Sequence, residues 1–130
     1  MTIAGKSTQS DRVSDGKFTK DEHLLKSKDF RIAYRGGRSV KRGGIVLVAA
    51  GNGLGRNRLG FSIGSSGVKS ACKRNRLRRL FREAYRKNRS LFSRAHDIVI
   101  IIKKSPGNGL LYADACRLLL SLAGEAGILI

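Results

Sequence analysis

The chain has 130 residues, 41% of them hydrophobic, and carries 27 Lys and Arg against nine Asp and Glu, a formal net charge of +18. That length suits one domain with a core of its own, and the apolar share excludes a wholly disordered basic tail. The surplus of positive charge asks for a polyanion, either nucleic acid or an anionic membrane surface.

Residues 1–22 are polar, rich in Ser, Asp, Lys and Gly, and without periodicity, which predicts a flexible tail. They contain no apolar core of a secretory signal, and no apolar run further on approaches the length of a membrane span. Cys72 and Cys116 stand far apart with no CxxC spacing, as expected of free thiols in a reducing cytoplasm.

Ser27 can cap a short helix through Arg35, with Asp29 in its first turn, Gly36-Gly37 at its end, and Phe30, Ala33 and Tyr34 on one face. A short strand is expected near 38–42. "GIVLVAA" (44–50) is apolar on both sides and β-branched, the pattern of a central strand. "GNGLGRN" (51–57) supplies turn chemistry and reads as a hairpin loop. "RLGFSIG" (58–64) alternates, with Leu59, Phe61 and Ile63 inward and Arg58, Gly60 and Ser62 outward.

A basic helix over about 69–89 follows, then the apolar strand "DIVIIIKK" (97–104). "SPGNG" (105–109) breaks the chain before a last helix at 110–122 with Leu111, Ala115, Leu118 and Leu122 on one side. The order α-β-β-(β)-α-β-α predicts an α+β fold, a small α-β sandwich over residues 23–124, with 125–130 as a C-terminal tail.

Between Lys73 and Arg89 lie nine positive charges and one carboxylate, Glu83, expected to pair with Arg79 and Lys87. Leu77, Leu80, Phe81 and Ala84 form a narrow apolar stripe with Tyr85 at its edge. Arg76, Arg78, Arg79, Arg82 and Arg86 spread over the opposite arc. Lys73 and Arg74 continue the apolar stripe one turn earlier, so the first turn is expected to overhang the sheet and aim them at a groove or solvent. Like charges at this density repel along a helix, and an external phosphate backbone relieves that repulsion. Arginine's planar fork suits bidentate phosphate contact, and the helix N-terminus adds partial positive charge at Lys69, Ser70 and Lys73.

A membrane-surface helix needs a broad free apolar face, which this one lacks. Duplex DNA readers would show zinc spacing or a helix-turn-helix partner, and neither is present. RNA is favoured by the basic helix together with Phe30 and Tyr34, spaced to line a groove for unpaired bases. The acidic residues are scattered, His23 and His96 are isolated, and the glycine run at 51–55 lacks GK[ST], so no catalytic apparatus is visible in the chain. Composition alone leaves a ribosomal or ribosome-assembly protein as the alternative.

"RNRLRRLFREAYR" (74–86) resembles the RNR signature of the bacterial ribonuclease P protein component. "KSKDFRIAYRGGRSV" (26–40), "LGFSIG" (59–64) and "HDIVIIIKK" (96–104) match that family in order and spacing. The resemblance implies a left-handed βαβ crossover and chemistry carried by an RNA subunit, which uses Mg²⁺ to cleave the 5′ leader from precursor tRNA. It implies contacts to that RNA from Arg74, Asn75, Arg76, Arg78, Arg79 and Arg82, to which the helix geometry adds Lys69, Lys73 and Arg86. Leader contacts are implied for Phe30, Arg31, Tyr34, Arg58, Gly60 and Ser62. The partners implied are ribonuclease P RNA and the precursor tRNA leader, with no membrane; weak self-association is left open. The chain departs from the family at Ser65-Ser66, where a lysine pair is usual.

Overall fold

A computed structural model describes residues 22–23, 27–104 and 110–130; the expected tail over 1–22, apart from Glu22, which pairs with Arg89, and the break at 105–109 lie outside the described residues. Eight elements follow in chain order. They are α1 (Ser27–Gly36), β1 (Arg38–Arg42), β2 (Ile45–Gly51), β3 (Arg58–Ile63), α2 (Ala71–Asn88), a 3-10 turn (Arg89–Leu91), β4 (His96–Ile102) and α3 (Tyr112–Ala126). The result is the expected α+β architecture, with the short strand at 38–42 present.

The strands form one sheet in the order β1-β2-β4-β3. β1 and β2 run antiparallel, as do β2 and β4, while β3 and β4 are parallel. "GNGLGRN" is not a hairpin loop, because β4 inserts between the strands it connects. The loop bridges across the start of β4 and is bonded to it. Asn52 N–H donates to the Ala95 carbonyl at 2.9 Å, and its side-chain amide donates to Asp97 and to the Arg56 carbonyl. Asn57, buried, accepts from His96 N–H and donates to the Ser93 carbonyl, fixing the far end of the same crossing.

Both faces of the central strands are covered, which is why β2 and β4 read as continuous apolar runs. On one face α1 packs over β2 and β4, burying Ala33 against Val46, Val48 and Val99 with Phe30 beside them. On the other, α2 and α3 cover the main core of Leu47, Leu59, Ile98, Ile100, Phe81 and Leu119, among others.

The stripe on α2 is placed almost as read: Leu77, Phe81, Ala84 and Tyr85 are buried, and Leu80 rather than Tyr85 lies at its edge. Burial pushes the Tyr85 hydroxyl up to about 12, and its ring meets Phe92 edge-on at 5.1 Å.

α3 differs more from expectation. It runs to Ala126, and its buried stripe is Ala115, Leu119, Leu122, Ala123 and Ala126. Leu111 stands at the N-cap position, 62% exposed, its N–H donating to Asp114 at 3.0 Å, and Leu118 is only partly buried. Residues 125–130 are not a separate tail. Gly127 ends the helix in the left-handed region at φ 75°, the turn that glycine adopts without a Cβ penalty. Ile128 is then buried, and Leu129 bridges to Phe92.

Candidate RNA-binding surfaces

β3 is an edge strand, and its two faces serve different surroundings. Leu59 and Ile63 point into the core under α2 and α3, with Phe61 partly buried beside them. Gly60 and Ser62 register with Val99 and Ile101 on the face that α1 covers. The residues expected to take a leader therefore lie on the α1 side, and those expected to meet an RNA subunit lie on α2 behind the opposite face. The edge strand is where the two sides meet.

On the α1 side, Phe30 is half-buried and Tyr34 is 44% exposed, their ring centroids 6.3 Å apart. Arg31 is exposed, Ser62 half-buried, and Gly60 buried rather than open. Arg58 is turned inward. Its guanidinium grips Asp97 with two bonds, 2.8 and 2.7 Å, and reaches Asp29 at 3.4 Å. The side chain chosen from sequence as a leader contact thus has its fork on a buried carboxylate, tying β3 to β4 and to α1. That paired hydrogen bond, more than the neighbouring charges, raises its pKa further.

At the start of α2, Ser70 caps the helix by accepting from Lys73 N–H at 3.3 Å. The preceding loop approaches β4 so closely that a Cβ on Gly67 would lie 2.0 Å from the Lys103 carbonyl oxygen. Lys69, Lys73 and Asn75 are exposed, as the overhanging first turn predicts. Arg74 is not aimed outward: it is half-buried and donates to the Val68 and Lys69 carbonyls at 2.7 and 3.0 Å. Arg76, exposed, donates to the Leu110 carbonyl at 2.6 Å. Arg78 donates to Asn75 at 3.0 Å, and Arg79 is exposed. The Arg82 guanidinium stacks over Phe61, 5.8 Å from the ring centroid. Glu83 pairs with Arg86, not with Arg79; that bond, aided by the Arg86 and Lys87 charges, lowers its pKa.

All six described carboxylates sit within ion-pair distance of an arginine: Glu22 with Arg89, Asp29 and Asp97 with Arg58, Glu83 with Arg86, Asp114 with Arg117, and Glu125 with Arg42. Among the described residues no group of three or more His, Cys, Asp or Glu could hold a metal ion. Among the described residues the carboxylates are engaged by guanidinium groups and are not gathered as the oxygen donors that Mg²⁺ takes. No described helix is long and apolar enough to cross a membrane.

Sequence reasoning passed over three features here. Asp97 is one scattered acid among nine, Tyr112 belongs to no motif, and Gly67 carries no signal beyond its place ahead of a helix. Only Arg58 directly across the ladder from Asp97 could have exposed the first, and that register was hidden by the misread loop.

A four-stranded sheet with one helix on one face, two on the other, and its cationic helix behind an edge strand defines a basic α-β sandwich protein built to meet a polyanion. The ribonuclease P family profile matches residues 18–122. The ribonuclease P protein component of Clostridium botulinum is 36% identical over 110 residues, covering 84% of this chain and 97% of its own. That of Pelotomaculum thermopropionicum is 42% identical over 81 residues, covering 62% and 71%. Among solved structures, the Staphylococcus aureus RNase P protein superposes with a TM-score of 0.72 at 25% identity, covering 84% of this chain and 98% of that one. The Thermotoga maritima RNase P protein does so at 0.64 and 27%, covering 78% and 94%. The chain belongs to the ribonuclease P protein family, the protein components of the endoribonuclease that processes tRNA 5′ ends.

Proposed function

We propose that this chain binds the catalytic RNA of ribonuclease P through α2 and the 5′ leader of precursor tRNA along α1 and β3. The observation that carries the reading is the allocation of charge. Every described carboxylate has an arginine beside it, while Lys73, Arg76, Arg79 and Lys87 remain exposed along one helix and Lys69 just ahead of it. A folded RNA supplies the phosphates that such a surface needs, each neutralised phosphate contributing about −0.7 to −0.9 to the slope of log affinity against log salt. On the α1 side, Phe30 and Tyr34 offer aromatic faces on the same side of the sheet as the small Ser62, where an unpaired strand can lie against the edge of the sheet.

The chemistry belongs to the RNA in this reading, and the Mg²⁺ that supports it is bound mainly through that RNA. Free Cys72 and Cys116 suit work in the cytoplasm. The test is cleavage of precursor tRNA by a bacterial ribonuclease P RNA at low Mg²⁺, with and without the chain. Stimulation is expected, and its absence refutes the reading. Phe30→Ala should weaken the complex with leader-bearing precursor by about 1–3 kcal/mol per lost stack and leave leaderless tRNA unaffected. Equal loss for both substrates would remove the leader from the α1 side.

A further inference from the structure

Where the start of α3 meets α2, a groove of about 720 Å³ opens, its walls set by Arg76, Arg79, Leu80, Lys87 and Tyr112. That volume falls within the roughly 300–1,000 Å³ of pockets that enclose small ligands. Its one carboxylate, Glu83, is taken by Arg86, so the net field is cationic. Leu80 and Tyr112 are both half-buried and supply an apolar floor. The exposed Lys87 ammonium lies 5.5 Å from the centroid of the Tyr112 ring, so this aromatic face already receives a cation carried on a flexible, solvent-facing side chain.

The ring is also held in place. Its hydroxyl lies against Cys116, a contact that together with burial raises the Tyr112 pKa. Asn88 in turn donates to Cys116 Sγ at 3.6 Å. Arg76, bonded to the Leu110 carbonyl, fastens the entry of α3 against α2.

A flat ring over an apolar floor with a cationic rim is the chemistry that captures a base together with its phosphates. A duplex keeps its bases stacked inside and offers no face to such a ring. An acidic peptide would satisfy the rim and leave the floor unused. We propose that the α2–α3 groove captures one unpaired nucleotide of the RNA subunit, its base displacing the Lys87 ammonium to stack on Tyr112 and its phosphates meeting Arg76 and Arg79. The inference rests on the RNA-binding reading above and adds to it a site for a single base.

The chain contains no tryptophan, so Tyr112→Trp places one reporter in the groove. Titrated with a ribonuclease P RNA transcript, its emission should be quenched, and an equal quantity of polyglutamate should leave it unchanged. Tyr112→Leu should lower affinity for the RNA about tenfold without altering the salt slope, because no charge is removed, and Tyr112→Phe should bind as the parent does. An unquenched tryptophan, equal quenching by polyglutamate, or parental affinity in a folded Tyr112→Leu would overturn the assignment. If Tyr112→Leu does not fold, the tryptophan and phenylalanine variants decide it. A parent chain that neither binds the RNA nor stimulates cleavage refutes the functional reading as well. A parent that does both, matched by Tyr112→Leu, refutes the groove alone.

Discussion

Asp97 is 5% exposed, and Arg58 covers both of its oxygens while Asn52 donates to one of them at 2.9 Å. A buried charge so placed is stabilising only while its partners remain, since an unmatched ion in the sheet keeps the desolvation cost and loses the attraction. Asp97→Asn leaves the Arg58 fork facing an amide and should cost about 3 kcal/mol in urea unfolding; a loss below about 1 kcal/mol would show the pair to be incidental. Arg58 illustrates how far a single residue can be read from sequence. Alternation separates it from Leu59 and Ile63, but the face it occupies is covered by α1 rather than open to solvent. Which acid would claim it depended on the strand that lands beside β3, and that choice is made thirty-nine residues further along the chain.

At the scale of elements, α2 carries two opposite requirements on one cylinder. Its buried stripe anchors it, and Phe81→Ala should destabilise the chain by about 3–5 kcal/mol, read as a fall in urea midpoint with the far-UV spectrum otherwise preserved below the transition. Its first turn is also fastened to the preceding loop by Arg74. Removing two backbone contacts of about 1 kcal/mol each makes Arg74→Ala lower thermal stability as well as RNA affinity. Arg74→Lys should restore the salt slope while leaving the melting temperature low, because an ammonium lacks the fork that spans the Val68 and Lys69 carbonyls. Equal melting temperatures for parent and both variants would show that the bonds contribute nothing. The helix, its stripe and its charge were legible because periodicity and composition are local. The partner of Glu83 and the direction of Arg74 were not, because a long cationic side chain selects among several acceptors that neighbouring elements bring within reach.

For the whole molecule, charge and pH meet at the outer edge of β3. His23 forms a parallel bridge to Leu59 there. Burial, then the Arg82 charge, lowers its pKa against the opposing pull of Glu22. A histidine with a lowered folded value binds its proton more readily when unfolded. Its contribution to stability is therefore complete above about pH 6.5 and is lost as pH falls through the lower folded value. The melting temperature should drop between pH 7.5 and 5, and His23→Gln should shallow that drop; an identical pH profile in the variant would exclude His23 as the source. The sequence by itself determined the α+β class, the positions of the strands, the polyanion-seeking helix and the match to a family, all carried by patterns that a few consecutive residues express. Only the tertiary structure decided that β4 enters between β2 and β3, that the chain end packs as core, that Arg58 is an anchor and that Tyr112 floors a groove. Apolar strands pair equally well by hydrogen bonds with many neighbours, so their order, and every side-chain partnership that follows from it, is fixed by the packing of the whole chain.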